Sequence, residues 1–364
     1  MADLQKYFEQ FHTAIAVRRS QEKAILSEKR ERVLRRLSDG IARQREQGIA
    51  IPSYRTKNQG SYRMGTGIRP KDQDYDIDVA VIFDLAPADH PDPVVVKSWV
   101  MDALEGHTKR VEMRRPCVTV FYQAENEPIY HVDLAVYAEG GDDEKIYLAL
   151  GKPESAPEFR VWQESDPEAL IAIMDSRFAD SADGAQFRRC IRYLKRWRDE
   201  NFVSSGNGAP RGIALTACAL RWFTTASTLD AFRNTRSYDD LTALARLVRM
   251  TLGAFTSVYD AETQSWVQRL SVALPVPPGN DLFERMTNGQ MVTLHDRLDK
   301  LWNALDQASR DPDPHTAAAT LRKVLGEDFP VPDKAETADK RAPAIVSSGN
   351  SGLHDGDTSR RRPG

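Results

Sequence analysis

Two aspartates at the start of an apolar segment constrain the fold of this chain more than any other feature. Asp76 and Asp78 come just before residues 79–83, a run rich in β-branched residues that predicts a buried strand. Since side chains alternate between the faces of a strand, both carboxylates project from one face. Neighbouring anions repel each other unless a cation compensates, and Mg²⁺ prefers oxygen ligands. The pair therefore predicts a metal site or, in the simpler alternative, solvated aspartates that cap the strand.

A third acid lies inside another apolar segment. Asp133 belongs to residues 130–137, which predict a second strand. A buried carboxylate without a partner is costly, so Asp133 needs a cation or a hydrogen-bond donor. If the two strands are neighbours, Asp133 completes a site of three carboxylates that can hold two metal ions. In the alternative, Asp133 pairs with an arginine such as Arg114 or Arg115.

A glycine and a serine precede the paired aspartates. Gly60 allows the backbone to come close to a ligand, and the Ser61 hydroxyl with free amides at a turn can bind phosphate. Alone, a Gly-Ser pair usually marks only a turn. Its position 15 residues before Asp76, with a third acid on a separate strand, favours a phosphate-binding and metal-binding site.

The amino-acid sequence of residues 59–66 and 74–79, together with Asp133, resembles that of the polymerase-β-type nucleotidyltransferases. The resemblance is closest to the bacterial cyclic-oligonucleotide synthases called CD-NTases, which belong to CBASS anti-phage systems and are related to cyclic GMP-AMP synthase. It covers about residues 5–330. It implies an α+β fold with a nucleotidyltransferase lobe around a mixed central sheet, a long N-terminal helix and a mostly α-helical second lobe. The active site is expected in the cleft between the lobes.

The resemblance also implies roles for individual residues. Catalysis and metal binding fall on Asp76, Asp78 and Asp133, and nucleotide binding falls on Gln59, Gly60, Ser61 and Lys195. Lys195 matches a lysine that touches the triphosphate in the family, although a solvated lysine on an amphipathic helix is the simpler alternative. The family serine that opens the next helix and also contacts phosphate is replaced here by Gly212. Arg211 or a backbone amide is a candidate substitute.

The chain divides into four predicted regions. A long N-terminal helix that bridges the lobes covers residues 1–48, the nucleotidyltransferase core 49–160, a helical lobe 161–330 and a disordered tail 331–364. The first region predicts a helix over 4–47, with a local break at Asp39–Gly40 and an end at Gly48. The predicted core elements are strands at 79–83, 117–121 and 129–137 and a helix at 93–104. From about residue 160 only helices are expected, at 187–197, 213–223, 238–255, 292–305 and 316–325.

Composition and charge exclude several classes of protein. The chain has 364 residues and a formal net charge of −3, which argues against a protein that coats nucleic acid through bulk charge. Its three scattered cysteines (Cys117, Cys190 and Cys218) indicate no disulfide framework and no cysteine zinc site, as in a reducing compartment. No apolar run approaches the roughly 20 residues of a membrane helix, and the N-terminus lacks the pattern of a secretory signal. We therefore expect a cytoplasmic protein.

The resemblance implies an enzyme that makes a cyclic di- or trinucleotide messenger from NTPs and releases pyrophosphate, with two Mg²⁺ or Mn²⁺ ions. The alternatives are a template-independent nucleotidyltransferase that acts on RNA or protein and a non-catalytic nucleotide-binding module. The basic N-terminal helix is consistent with the RNA-directed alternative.

The implied partners are NTPs, a downstream effector of the product, and CBASS proteins that regulate the chain or conjugate it through Gly364. The alternative to conjugation is that residues near Gly364 form an ordinary frayed terminus. Tyr62, Tyr193 and Phe223 are candidates for stacking on a base.

Overall fold

The computed structural model describes residues 2–17, 22–72, 74–123, 129–141, 143–203 and 208–334. The helices are α1 (Gln5–Ile15), α2 (Glu22–Glu46), α3 (Gly60–Arg63), α4 (Pro93–Ala103), α5 (Pro167–Ser176), α6 (Ser181–Asn201), α7 (Gly212–Trp222), α8 (Asp240–Gly253), α9 (Asn288–Arg310) and α10 (Pro314–Leu325). The strands are β1 (Tyr54–Asn58), β2 (Asp74–Phe83), β3 (Arg110–Met113), β4 (Val118–Tyr122), β5 (Ile129–Ala138), β6 (Tyr147–Leu150), β7 (Val161–Glu164), β8 (Ser227–Asp230), β9 (Thr235–Tyr238), β10 (Thr256–Asp260) and β11 (Ser265–Arg269). Residues 335–364, most of the predicted tail, lie outside the described residues.

A mixed sheet of seven strands forms the first lobe, which confirms the predicted α+β class. The strand order is β1-β2-β5-β4-β3, with β6 added to β5 and β7 to β6. β2 and β5 are parallel, and the other pairs are antiparallel. Along β2, Ile77, Val79 and Val81 join the core that also contains residues of α2 and α4, whereas Ala80 and Ile82 belong to a cluster on the opposite face. This alternation leaves Asp76 and Asp78 on the face away from α2 and α4.

The N-terminal region is helical, as predicted, but in two pieces that join different cores. Residues of α1 pack with α6 and α8, whereas α2 packs against α4 and the sheet. The predicted break at Asp39–Gly40 is wrong, because α2 runs through it. A β-carbon on Gly40 would lie 2.5 Å from the Cα of Ala103, so this glycine permits close contact between α2 and α4. Gly48, with φ +90°, follows the end of α2 as predicted.

The second lobe is mostly helical and is held by a large apolar core. Phe8 and Phe11 of α1 pack against Tyr193 and Phe329, with ring centroids 5.2 to 5.4 Å apart. Among the described helices of this lobe, five begin at caps whose side chains accept backbone N–H bonds, namely Asp166, Asp180, Asp239, Thr287 and Asp313. Among the described residues, no helix combines the length and apolar character that crossing a bilayer requires.

The expectation that strands end near residue 160 is wrong. β7 completes the central sheet, and the hairpins β8–β9 and β10–β11 are inserted between helices of the second lobe. The strands of the two hairpins have only four or five residues and are largely exposed. Since neither face is buried, their sequences lack the regular alternation of apolar and polar residues on which the prediction relied.

Candidate active site

Strands β2 and β5 place acidic side chains side by side. In the parallel register, Asp78 is opposite Asp133 and Asp76 is opposite His131. Ligand atoms of Asp76, His131 and Asp133 all lie within 4.8 Å of one another. The structure therefore brings together the acids that the sequence singled out on two separate segments. It also adds a histidine that the sequence interpretation had missed.

His131 lies among the carboxylates. Its Nδ1 is 3.3 Å from an oxygen of Asp76 and 3.4 Å from one of Asp133, and its Nε2 is 3.4 Å from an oxygen of Asp74. Within the described part of the chain, Asp133 thus contacts His131 and forms no ion pair with Arg114 or Arg115. The signal was available in the sequence, because a residue two positions before Asp133 on a strand shares its face.

The donor atoms of this cluster fit a divalent cation. The buried Oδ1 of Asp133 and the buried Nδ1 of His131 have no hydrogen-bond partner among the described residues. Buried polar atoms that lack partners are costly, and carboxylate oxygens are the ligands that Mg²⁺ and Mn²⁺ prefer. Asp76, His131 and Asp133 have ligand atoms close enough together to share one ion, and Asp78 lies opposite Asp133 in the register of the two strands.

The proximity of the acids alters their protonation. Burial, followed by repulsion from Asp78 and Asp133, raises the pKa of Asp76 well above its ordinary value. Burial and repulsion from Asp133 likewise raise the pKa of Asp78. Burial also acts to raise the pKa of Asp133, but polar contacts with His131 and Thr119 outweigh it and lower that pKa. Without a cation, the cluster resists full ionisation at neutral pH.

Gly60 lies directly over one of these carboxylates. Its φ is +64°, and a β-carbon on it would lie 1.8 Å from the Oδ2 of Asp78. The backbone N–H of Gln59 donates to the Asp78 carbonyl over 3.0 Å, which fixes the turn against β2. Both the backbone conformation and the close approach thus require glycine at this position.

A cavity of about 820 Å³ opens beside the acids, between the sheet and the second lobe. The residues that line it include every predicted nucleotide-binding residue and the three acids of β2, namely Gln59, Gly60, Ser61, Asp74, Asp76, Asp78 and Lys195. Gln59 is held in place by the Tyr137 hydroxyl, which donates to its side-chain oxygen over 3.0 Å. Asp133 reaches the cluster from the neighbouring strand.

Lys195 is not the solvated lysine of the simpler alternative. It is 6% exposed, and its Nζ donates to the carbonyl and the hydroxyl of Thr66, each over 3.2 Å. Burial, and then the positive charges of Arg198 and Arg192, lower the pKa of Lys195 to about 7. An anionic ligand in the cavity would relieve this crowding of cations.

The loop that follows Gly60 is anchored to α6. Arg188 donates to the carbonyl of Met64, and Arg192 donates to the carbonyls of Gly65 and Gly67. With the bonds from Lys195 to Thr66, one face of α6 holds most of this loop against the second lobe. The position of Ser61 therefore depends on both lobes, which sequence reasoning did not anticipate.

Two of the three residues suggested for base stacking are elsewhere. Tyr193 is fully buried and its hydroxyl donates to the carbonyl of Phe8 and to Asp240. Phe223 packs against Phe187 in the core of the second lobe. The interpretation of Tyr193 and Phe223 as base-binding residues is wrong, because both side chains are buried in the core. The helical periodicity of the sequence already indicates core-facing positions for them. Of the three, only Tyr62 lines the cavity.

Comparison with known proteins agrees with this geometry. Residues 54–137 match the family described as "Cyclic GMP-AMP synthase DncV-like, nucleotidyltransferase domain". A curated cyclic GMP-AMP synthase of Escherichia albertii is 30% identical over 157 residues, which are 41% of this chain and 32% of that protein. The chain thus spans about a third of the length of the curated relative it matches.

Solved structures show the same fold over most of the chain. The cyclic AMP-GMP synthase DncV of Vibrio cholerae is 16% identical with a TM-score of 0.64, covering 90% of this chain and 97% of DncV. CdnC of E. coli MS115-1, solved with ATP, is 18% identical with a TM-score of 0.60, covering 89% and 98%; CdnC has also been solved in complex with a HORMA protein. Residues 54–137 are therefore similar to a DncV-like nucleotidyltransferase domain, and the chain has the fold of DncV.

Proposed function

We propose that this protein is a cyclic-oligonucleotide synthase that joins NTPs into a cyclic di- or trinucleotide in anti-phage defence. The observation that carries the proposal is that Asp133 lies opposite Asp78 and close to Asp76, beside a cavity that Asp76, Asp78, Ser61 and Lys195 line. The DncV-like domain over residues 54–137 and the named activities of the relatives support the same reaction. Three acids and two phosphate-binding side chains are what nucleotidyl transfer requires.

The acids would hold two divalent ions, Mg²⁺ or Mn²⁺, against the donor triphosphate. When bound, such ions would favour ionisation of the attacking ribose hydroxyl and neutralise charge on the leaving pyrophosphate. Asp76 and Asp78 face the cavity from β2, and Asp133 supplies its oxygen from β5. Removal of any one carboxylate leaves an incomplete set of ligands, so we expect each to be indispensable.

The remaining residues orient the substrate. Gly60 lets the loop that carries Ser61 pack directly against Asp78, and the Ser61 hydroxyl and the Lys195 ammonium, which line the cavity, would bind the β- and γ-phosphates. In each transfer a bond forms between the ribose oxygen and the α-phosphorus, and the bond from that phosphorus to pyrophosphate breaks. A first transfer gives a linear product, and a second transfer within it closes the ring. A cavity of about 820 Å³ suits small nucleotide substrates.

The proposal also covers the partners, the domain organisation and the cellular location of the protein. The complex of CdnC with a HORMA protein supports a regulatory protein partner for this chain, and we propose a downstream effector that binds the product. The tail that ends at Gly364, proposed as a conjugation site, lies outside the described residues. The two separate apolar cores support the proposed division into a nucleotidyltransferase lobe and a helical lobe, and the chain is proposed to act in the cytoplasm.

The proposal is tested by mass spectrometry of products made from the four NTPs with Mg²⁺ or Mn²⁺. We expect phosphatase-resistant cyclic products from NTPs alone, and their loss in Asp76→Asn. The matched control is Asp89→Asn, which changes an exposed aspartate outside the cavity. Products that appear only when RNA or a protein acceptor is added would instead support the alternative transferase.

A further inference from the structure

Gly212, the first residue of α7, is not explained by its backbone. Its φ is not in the left-handed region, so other residues could adopt this conformation, and glycine is a poor helix former. A β-carbon at position 212 would lie 3.2 Å from the Nη1 of Arg198 and 3.4 Å from the Cε of Lys195. The space that a side chain would fill is therefore taken by two cationic side chains.

Arg198 presents one free nitrogen in this space. It lies three residues after Lys195 on α6, so the two side chains share a helix face. Its Nε and Nη2 donate to one oxygen of Asp199 over 2.8 and 2.5 Å. Within the described part of the chain, Nη1 makes no hydrogen bond. Asp199 thus fixes the guanidinium while its outer nitrogen remains available to a ligand.

Arg198 also lies where two cavities meet. It lines the cavity of the candidate active site, together with Lys195 and Ser61, and a neighbouring cavity of about 560 Å³. The cationic residues of the cavity, Arg192, Lys195 and Arg198, all belong to α6 and face the β2 acids Asp76 and Asp78 across it. This division of charge suits a ligand whose phosphate oxygens contact the cations. A guanidinium is well suited to phosphate oxygens, because its donors are planar and always charged.

We propose that Arg198 binds the donor triphosphate through Nη1. The absence of a side chain on Gly212 leaves room for Nη1, and Asp199 orients the guanidinium. This inference rests on the proposed function, since it assumes that a nucleoside triphosphate occupies the cavity. In the alternative, Arg198 only pairs with Asp199 and does not contact the substrate.

The test measures binding of α,β-methylene-ATP and of AMP by isothermal titration calorimetry with Mg²⁺, so that no turnover is needed. In Arg198→Gln we expect affinity for the triphosphate analogue to fall about tenfold or more, while affinity for AMP changes little. Arg198→Lys, which keeps the charge without the fork of donors, should lose less. Circular dichroism and melting curves verify that each variant is folded.

The matched control is Arg221→Gln, an exposed arginine on α7 that lines neither of these two cavities, and it should bind the analogue like the wild type. Arg211→Gln tests the other arginine that the sequence suggested as a phosphate contact; because Arg211 lines only the neighbouring cavity, this variant should also bind normally. A rescue variant adds Gly212→Ser to Arg198→Gln: the serine hydroxyl enters the vacated space and should recover part of the lost affinity. In the wild-type background Gly212→Ser should instead weaken binding, because its β-carbon crowds Nη1 at 3.2 Å.

The outcomes separate the two proposals. If the wild type binds the analogue and Arg198→Gln binds it equally well, the role of Arg198 is refuted while the proposed function stands. A loss confined to Arg211→Gln would transfer the phosphate contact to that residue. Failure of the wild type to bind any nucleotide would overturn both.

Discussion

The two sides of the cavity are built in different ways. On one side, Asp76, Asp78 and Asp133 are fixed by the register of two parallel strands, and each projects from the same face of one sheet. On the other side, Lys195 and Arg198 belong to a helix of the second lobe. The acidic side depends on local strand geometry, whereas the basic side depends on how distant segments pack. The two sides should therefore respond differently to substitution.

The largest effect is expected on the acidic side. Asp133→Asn removes a charge from the ligand set, so we expect product formation to fall by about a thousandfold or more. Because His131 and Thr119 lower the pKa of Asp133 and so favour its ionised form in the folded protein, the variant should melt slightly below the wild type in the absence of metal but remain folded. A quenched-product assay and calorimetry measure the two quantities. A variant that is inactive because it is unfolded would contradict this account.

The next effect concerns the glycine that lies over Asp78. Gly60→Ala introduces a β-carbon 1.8 Å from the Asp78 carboxylate, so we expect activity to fall about a hundredfold and stability by about 1–3 kcal/mol. Gly106→Ala is the matched control, because Gly106 has a similar φ of +69° with nothing within 4 Å. Equal losses in the two variants would mean that backbone strain alone, and not the contact with Asp78, requires glycine at position 60.

A smaller effect is expected on the basic side. Lys195→Gln removes the proposed phosphate contact and the bonds of Lys195 to Thr66, and we expect KM for NTPs to rise about tenfold. Because the chemistry of the acids is untouched, kcat should fall less than KM rises. The control Lys323→Gln changes an exposed lysine on α10. An unchanged KM would leave Lys195 with only a structural role in holding the loop.

The smallest effect is a pH dependence of metal stabilisation. The raised pKa values of Asp76 and Asp78 mean that, without metal, the folded protein loses stability as pH rises through them. The raised pKa of His131 acts in the same direction. A divalent ion compensates the ionised acids, so Mn²⁺ should raise Tm more at pH 8 than at pH 6. Melting curves at both pH values, with and without Mn²⁺, measure this; a larger shift at pH 6 would contradict it.

The sequence predicts the acidic side of the cavity better than the basic side. The alternation of strand side chains was enough to place Asp76 and Asp78 on one face, and a neighbouring strand was enough to bring Asp133 to them. The same rule would have found His131, whose distance of two residues from Asp133 was not used. Predictions that rest on local periodicity therefore held on the acidic side of the cavity.

The rest depended on packing between distant segments. The relation of Gly212 to Arg198 arises from the approach of α7 to α6, which no local pattern reveals. Gly40 was interpreted as a break because glycine disfavours helices, yet close contact with Ala103 outweighs that preference. The short polar hairpins of the second lobe carried no apolar alternation that would have revealed them.

The central claim is that carboxylates from β2 and β5 hold divalent ions against a nucleoside triphosphate. It is tested most directly by a crystal structure with α,β-methylene-ATP and Mn²⁺, in which anomalous scattering locates the metal. We predict manganese about 2.1 Å from oxygens of Asp76, Asp78 and Asp133 and of the triphosphate. Manganese bound away from these side chains, with the triphosphate outside the cavity, would contradict the account.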